Sequence, residues 1–209
     1  MVYTSVIQWG SIPNAIIKTA AEENCDLIVM GSRTLTGWKR LQVGNVANPV
    51  IAKAPQPVML IKPPQPVSVD RPLRHRILVA TGGSAWSDAA LDQAFAWASA
   101  HGLDVCGLYV SKQRLRSGAA VDPKGEQVLA EAQSKASAAG VRFEPILARG
   151  DIANTILATA IDQHCDAIVL GSRGLTGLKR LMAGSIANAV AAKSSLPVLI
   201  AKHFETLRA

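Results

Sequence analysis

Aromatic residues are scarce in this chain, and several features that would point to a particular class of protein are absent. Phe, Trp and Tyr make up only 4% of the 209 residues, although 49% are hydrophobic. The apolar residues are therefore mostly Ala, Val, Ile and Leu, which is typical of helices packed on a buried parallel sheet. No apolar run approaches the ~20 residues of a membrane-spanning helix, and the first residues lack the order of a signal peptide. We therefore expect a cytoplasmic protein that does not associate with a membrane.

Cysteine and histidine are also few and scattered. Cys25, Cys106 and Cys165 lack metal-ligand spacing, and the four histidines form no cluster. We expect buried, reduced thiols and no metal site. The net charge of +7 would suit a polyanion, but the basic residues are dispersed. No zinc-finger spacing or RNP-like aromatic string accompanies them, so we interpret the charge as solvated surface rather than a nucleic-acid interface.

An internal repeat determines the predicted architecture. The segment CDLIVMGSR at 25–33 matches CDAIVLGSR at 165–173, an offset of 140 residues. The match continues without a gap from Gly10 and Gly150 to Lys62 and Lys202. A match of this length indicates that a structural unit has been duplicated.

The second copy alternates predicted strands and helices. Apolar strands are predicted at 77–80, 105–110, 144–148, 167–170 and 197–201. The first predicted helix carries Leu91, Ala94, Phe95 and Ala98 on one face, and further helices are predicted at 126–139, 152–164 and 185–193. Gly140 follows the second helix, where a left-handed turn is expected. This strict alternation predicts an α/β fold, an open parallel five-stranded sheet with helices on both faces, Rossmann-like in architecture.

The first copy holds only the second half of that pattern. Strands are predicted at 5–8, 27–30 and 58–61, with helices at 12–24 and 45–53. We divide the chain into half a domain at 1–62, a Pro-rich linker at 63–74, a complete domain at 75–203 and a tail at 204–209. A half-domain of this size is too small to be stable alone, and apolar edge strands are seldom left bare. We expect it to dock on the complete domain through the terminal strands, and the chain to form a homo-oligomer, a dimer, through terminal edge strands.

One glycine-rich loop carries the predicted chemistry. It reads GSRGLTGLKRLMAGS at 171–185 and leads into a predicted helix. Ligands of open parallel sheets bind outside the carboxyl ends of the strands, where glycines allow close backbone approach and a helix N-terminus favours an anion. Ser185 is placed to cap that helix, and an ordinary turn with a helix cap is the alternative interpretation. The chain has no P-loop and no dinucleotide fingerprint. No histidine base is evident for Ser84 or Ser185, so we predict no catalytic residues.

The second copy resembles a domain of the universal stress protein family over its whole length. Gly171, Gly174, Gly184 and Ser185 match the family's motif Gly-x₂-Gly-x₉-Gly-(Ser/Thr). The resemblance implies that ATP or a related adenine nucleotide binds here, with or without Mg²⁺. By the same resemblance, three groups of residues would surround the base, the ribose and the phosphates: Ala80, Thr81 and Val110; Leu170 and Gly171; and Arg173, Gly174, Gly184, Ser185, Ile186 and Ala187.

Two departures from the family pattern affect this expectation. Gly82 stands where the family usually has an aspartate, so a carboxylate expected to accept a hydrogen bond from the nucleotide is missing. Such a loss costs about 1–3 kcal/mol, or roughly a tenfold to hundredfold in affinity. In the first copy Thr34 and Asn45 replace motif residues, and we expect that copy not to bind nucleotide.

Three functions remain open from the sequence. The first is a nucleotide-binding module that acts in stress response or signalling without significant turnover. The second is a structural or dimerising member of the family that binds no nucleotide, which the glycine at position 82 favours. The third is a slow ATPase or self-phosphorylating protein, which would need an ordered metal and a positioned water.

Overall fold

The computed structural model describes residues 3–31, 44–62, 74–111, 122–172 and 185–203. Within them, helices and strands alternate along almost the whole chain. The elements are, in order, α1 (Ile12–Glu22), β1 (Ile28–Gly31), α2 (Ala47–Lys53), β2 (Val58–Ile61), β3 (Arg76–Ala80), α3 (Ala85–His101), β4 (Asp104–Ser111), α4 (Pro123–Ala138), β5 (Phe143–Arg149), α5 (Ile152–Asp162), β6 (Ala167–Gly171), α6 (Ser185–Lys193) and β7 (Val198–Ala201).

The strands form one seven-stranded sheet in the order β1-β2-β7-β6-β3-β4-β5. The five strands of the second copy, β3 to β7, all pair in parallel. This confirms the predicted five-stranded parallel sheet. Chain order reverses between β3 and β6, since β4 and β5 lie on one side of β3 while β6 and β7 lie on the other.

Local sequence explains where the long helices begin and end. Ser84 caps α3, and its side chain accepts from the backbone N–H of Ser87 while the Ser87 hydroxyl accepts from the backbone N–H of Ser84. Gly102 then ends α3 in the left-handed region at φ 63°. Gly140 follows α4 at φ 66°, which confirms the left-handed turn predicted there.

Helices cover both faces of the sheet and enclose two apolar layers. On one face, α3 and α4 bury Leu91, Phe95 and Ala132 against strand residues such as Val79 and Val169. On the other face lie α1, α2, α5 and α6, which all contribute to one continuous core. The first copy's helices therefore share a face with their counterparts in the second copy.

The first copy joins the sheet through an antiparallel contact between β2 and β7. Val58 lies opposite Ile200, and Leu60 lies opposite Val198. This confirms the prediction that the partial copy docks through the terminal strands. The prediction that the same strands mediate a homodimer is wrong, because β2 and β7 are each paired on both sides within one chain. Association through another surface stays a prediction.

Two lysines support this contact from opposite sides. The Lys62 ammonium group donates to the carbonyl oxygen of Ala192 at 2.6 Å, near the end of α6. Its counterpart in the repeat, Lys202, donates to the carbonyl oxygen of Ile51 in α2. Burial lowers the pKa of Lys62, but the carbonyl groups at a helix C-terminus favour its charged form.

Residues 5–8 do not form the predicted strand. They have no regular secondary structure and are exposed, with Ile7 at 85% and nearby Trp9 at 92% exposure. Their counterparts in the second copy belong to β5, which pairs with β4. The first copy has no counterpart of β4, so this segment has no neighbouring strand to pair with.

The expectation of three buried thiols is correct for two of them. Cys106 and Cys165 are fully buried, whereas Cys25 is exposed. A hydrogen bond between the two buried thiols lowers the pKa of Cys106 and, together with burial, raises the pKa of Cys165. The exposure of Cys25 reflects the incomplete first copy, where less structure covers the end of α1.

Candidate functional site

The carboxyl ends of β3, β4 and β6 meet at one rim of the sheet. The reversal of chain order between β3 and β6 places a switch point at this rim. The helices that follow these two strands, α3 and α6, leave toward opposite faces. This divergence is what opens a crevice for ligands in doubly wound α/β folds.

The end of β3 forms the first wall of the candidate site. Ala80 and Gly82 are half-buried, and Thr81 between them is only 6% exposed. The Thr81 backbone N–H donates to the carbonyl oxygen of Leu108 at 2.9 Å, which fixes this segment against β4. The next residue, Gly83, has φ +69°, a conformation that favours glycine.

The end of β4 forms the second wall. Val110 is half-buried, and Ser111 beside it is 2% exposed. The Asp122 carboxylate caps α4 by accepting from the backbone N–H of Gly125 at 3.1 Å. A hydrogen bond from the Ser111 hydroxyl, followed by the one from Gly125, lowers the pKa of Asp122.

The contribution of Asp122 to this wall was not predicted from the sequence. The sequence pattern that indicates this role is an aspartate directly before Pro123, since Asp favours the N-cap and Pro the first position of a helix. The hydrogen bond between Asp122 and Ser111 could not be predicted, because it depends on how α4 packs against the sheet.

The end of β6 forms the floor of the crevice. Leu170 is buried and Gly171 half-buried, and the backbone N–H of Ser172 donates to the carbonyl oxygen of Ala201 at 3.1 Å. A Cβ atom at Gly171 would lie 2.3 Å from the carbonyl oxygen of Trp86. Only glycine therefore fits between β6 and the first turn of α3.

Helix α6 is described from Ser185 onward, and the predicted capping by Ser185 stays a prediction because the residues before it lie outside the described ranges. Ser185 is exposed, Ile186 half-buried and Ala187 buried. The N–H groups of a first helical turn have no intrahelical partner and favour an anion. Three other predicted residues, Arg173, Gly174 and Gly184, lie outside the described residues.

The structure brings most of the described candidate residues together. Leu170 and Ala187 belong to one apolar cluster, and Ala80, Val110 and Ile186 pack against it. This cluster extends over the whole of that sheet face. The pairing of β3 with β4 and with β6 is what places Ala80, Val110 and Leu170 on neighbouring strands near one rim.

A separate open depression of about 620 Å³ lies at the opposite rim, where β3, β4 and β5 begin. Arg76 donates there to the Glu144 carboxylate and, at 3.4 Å, to the amide oxygen of Gln163. Two other arginines, Arg74 and Arg142, also line it. None of these residues belongs to the predicted site.

Comparison with known proteins identifies the family. The sequence profile of the universal stress protein family matches residues 2–62 and 74–202. The chain belongs to the universal stress protein family. The universal stress protein YxiE of Bacillus subtilis is 32% identical over 146 residues, covering 61% of this chain and 99% of its own.

Solved structures show the same fold. A universal stress protein from Archaeoglobus fulgidus has a TM-score of 0.69 and 26% identity, covering 93% of this chain and 66% of its own. This universal stress protein thus spans about two thirds of that longer chain. A universal stress protein in complex with cAMP has a TM-score of 0.55 and 25% identity, covering 62% of this chain and 97% of its own.

Two further features of the described residues bear on function. No helix among them is long and apolar enough to cross a membrane. The described ranges also contain no group of three or more His, Cys, Asp or Glu residues that could hold a metal ion.

Proposed function

We propose that this universal stress protein binds an ATP-like adenine nucleotide and acts in stress response or signalling in the cytoplasm without significant turnover. One observation carries the proposal. The carboxyl ends of β3, β4 and β6 lie side by side at the switch point of the sheet. This is the position where folds of this kind bind nucleotides.

The residues at this rim fit such a ligand. Ala80 and Val110 are half-buried and small enough to leave an apolar surface for a base. Leu170 and Gly171 lie beside them at the end of β6, where we place the ribose. The nine-residue helix α6 begins at Ser185, and its first N–H groups suit a phosphate. We assign the remaining phosphate contacts to the motif residues Arg173, Gly174 and Gly184.

The relative bound to cAMP supports an adenine nucleotide as the ligand class. Our chain matches almost the full length of that protein. Because ATP, AMP and cAMP share the adenine base, all three nucleotides are compared in the same binding experiment.

Isothermal titration calorimetry of the purified full chain with ATP, AMP, cAMP and GTP tests the proposal. We expect saturable binding of at least one adenine nucleotide, with GTP binding at least tenfold more weakly. Absence of heat with all four nucleotides at millimolar concentration would refute nucleotide binding.

A structural, non-binding role is the second candidate, and it is favoured by Gly82. This residue follows the end of β3 and lacks the carboxylate that the family usually has there. A slow ATPase is the third candidate. Phosphate release well above background from the same purified protein, lost on substitution of Gly174, would favour it over the proposed role.

A further inference from the structure

Two thiols meet inside the second copy, and neither takes part in the proposed nucleotide site. Cys106 lies in β4 and Cys165 lies between α5 and β6, and both are 0% exposed. They belong to the same apolar cluster and share a hydrogen bond. The two sulfur atoms are therefore neighbours in the folded chain.

Separate elements hold the two cysteines in place. The backbone N–H of Cys165 donates to the carbonyl oxygen of Ala160 at 2.8 Å, and its thiol lies 3.9 Å from the carbonyl oxygen of Gln163. Cys106 is fixed by strand pairing instead, since it lies opposite Glu144 in β5. The end of α5 and the middle of the sheet thus present their sulfur atoms to each other.

The guanidinium group of Arg76 lies close to this thiol pair. Its two Nη groups donate to the Glu144 carboxylate and to the amide oxygen of Gln163. Its Nε atom is buried and has no hydrogen-bond partner within the described ranges. A buried donor without an acceptor is unfavourable. A thiolate at Cys106 would place a negative charge beside this guanidinium group.

The surroundings favour ionisation of Cys106 over that of Cys165. The hydrogen bond between the thiols, followed by the positive charge of Arg76, lowers the pKa of Cys106, although burial and the carboxylates of Asp104 and Glu144 oppose this shift. The same hydrogen bond, together with burial, raises the pKa of Cys165. The pair therefore combines one thiol that readily becomes the nucleophilic thiolate with one that stays protonated.

Arg76 also links the buried thiols to solvent. Its side chain is 25% exposed and lines the open depression of about 620 Å³ at the rim where β3, β4 and β5 begin. The same guanidinium group exerts its charge on both thiols. The open depression and the buried pair thus have this one side chain as a common neighbour.

We propose that Cys106 and Cys165 form a peroxide-sensitive thiol pair, which a hydroperoxide reaches from the depression beside Arg76. In the first step the Cys106 sulfur attacks one peroxide oxygen, the O–O bond breaks, and a sulfenic acid and water form when the oxidant is hydrogen peroxide. In the second step the Cys165 sulfur attacks the sulfenic sulfur, the S–O bond breaks, and a second water leaves. The peroxide accepts two electrons, and the two thiol protons leave in the two water molecules.

The repeat provides an internal control for this chemistry. Cys25 is the counterpart of Cys165, with the same aspartate after it in the sequence. It is exposed, and the other two cysteines are buried together in the second copy. Cys25 therefore reports how a single accessible thiol reacts with the same oxidant. Because the pair is buried, we expect it to react more slowly than Cys25 and to end in an intramolecular disulfide bond.

Peptide mapping of the full chain tests the proposal. The reduced chain is treated with hydrogen peroxide, alkylated in denaturant and digested without reductant for mass spectrometry. We expect a linked Cys106–Cys165 peptide as the main intramolecular product, which dithiothreitol returns to two free thiols. Cys25→Ser should leave its yield unchanged. Cys165→Ser should stop the reaction at a Cys106 sulfenic acid, which dimedone traps.

A pair of arginine variants tests the part that Arg76 plays. Arg76→Gln removes the positive charge beside Cys106 and should slow formation of the linked peptide by roughly fivefold or more. Arg74→Gln is the matched control, because Arg74 lines the same depression but its charge does not shift the pKa of either thiol. Circular dichroism establishes that both variants are folded, and the mapping of the unaltered chain stands without them.

Three results would overturn the proposal. The first is the absence of the linked peptide after treatment with excess peroxide that oxidises Cys25 completely. The second is a linked peptide that forms only after the chain has been denatured, which would mean that the thiols do not react within the fold. The third is an equal rate for Arg76→Gln and Arg74→Gln, which would exclude the route beside Arg76.

Discussion

Met59 lies directly opposite Leu199 across the antiparallel pair of β2 and β7, and each is the counterpart of the other in the 140-residue repeat. A local twofold axis therefore passes between these two side chains. The reciprocal bonds of Lys62 and Lys202 to the opposite copy follow the same symmetry to within one residue, since Lys202 bonds Ile51 rather than Ala52, the counterpart of Ala192. The single chain thus contains a pseudo-symmetric contact between the last strands of its two copies.

Gly171 and Gly31 should respond differently to the same substitution. Gly171→Ala forces a Cβ atom against the backbone of α3, and we expect overpacking to cost about 1–3 kcal/mol of unfolding free energy. Gly31→Ala should change stability by less than about 0.5 kcal/mol, as is usual at exposed positions. Urea denaturation of both variants measures the difference. Equal destabilisation would mean that the described packing at Gly171 is wrong.

Nucleotide binding should depend on the second copy alone. Gly174→Val should abolish it, because a β-branched side chain prevents the backbone from approaching phosphate. Thr34→Gly, at the matching position of the first copy, should leave affinity unchanged, since that copy also carries Asn45 in place of the motif serine. Calorimetry with the best-binding nucleotide compares the two. Similar losses from Gly174→Val and from substitution of Gly44 would contradict the assignment.

Restoring the aspartate at the end of β3 should strengthen binding. We expect Gly82→Asp to tighten ATP affinity by roughly tenfold, the contribution of one additional hydrogen bond. Titration of both forms under identical conditions measures the change. Unchanged or weaker binding would indicate that the pocket is adapted to a different ligand.

Asp122 should make the stability of the chain depend on pH. Its pKa is lowered in the folded state by Ser111 and Gly125, so its ionised form stabilises the fold. That stabilisation is complete above the unfolded-state pKa, about 3.9, and is lost as the pH falls through the lower folded-state pKa. Asp122→Ala should therefore lower the unfolding midpoint most at neutral pH and least near pH 2. Asp122→Asn, which keeps a capping oxygen, should have a smaller effect.

Local patterns predicted the elements whose formation depends on their own sequence. Helix α6 and strand β2 have the predicted bounds, because an apolar period and flanking loop residues define both ends. The segment at 5–8 was predicted by the same reasoning and is wrong. A strand also needs a neighbour, and the pattern within a segment does not reveal that its neighbour is missing.

The candidate site was predictable in position but not in its supporting contacts. The alternation of strands and helices placed the switch point, and the glycine motif marked the loop beside it. The contact between Ser111 and Asp122 joins residues from two elements, as does the approach of Trp86 to Gly171. Such contacts depend on how α3 and α4 pack on the sheet, which periodicity does not specify.

The antiparallel junction reverses the direction of the first copy relative to the second. Strands β1 and β2 run opposite to the five strands from β3 to β7. The chain consequently leaves β1 at Gly31 on one rim of the sheet and leaves β6 at Gly171 on the other. A ligand beside Gly171 would therefore lie at the opposite rim from Gly31, so a substitution at Gly31 would leave the surroundings of that ligand unchanged.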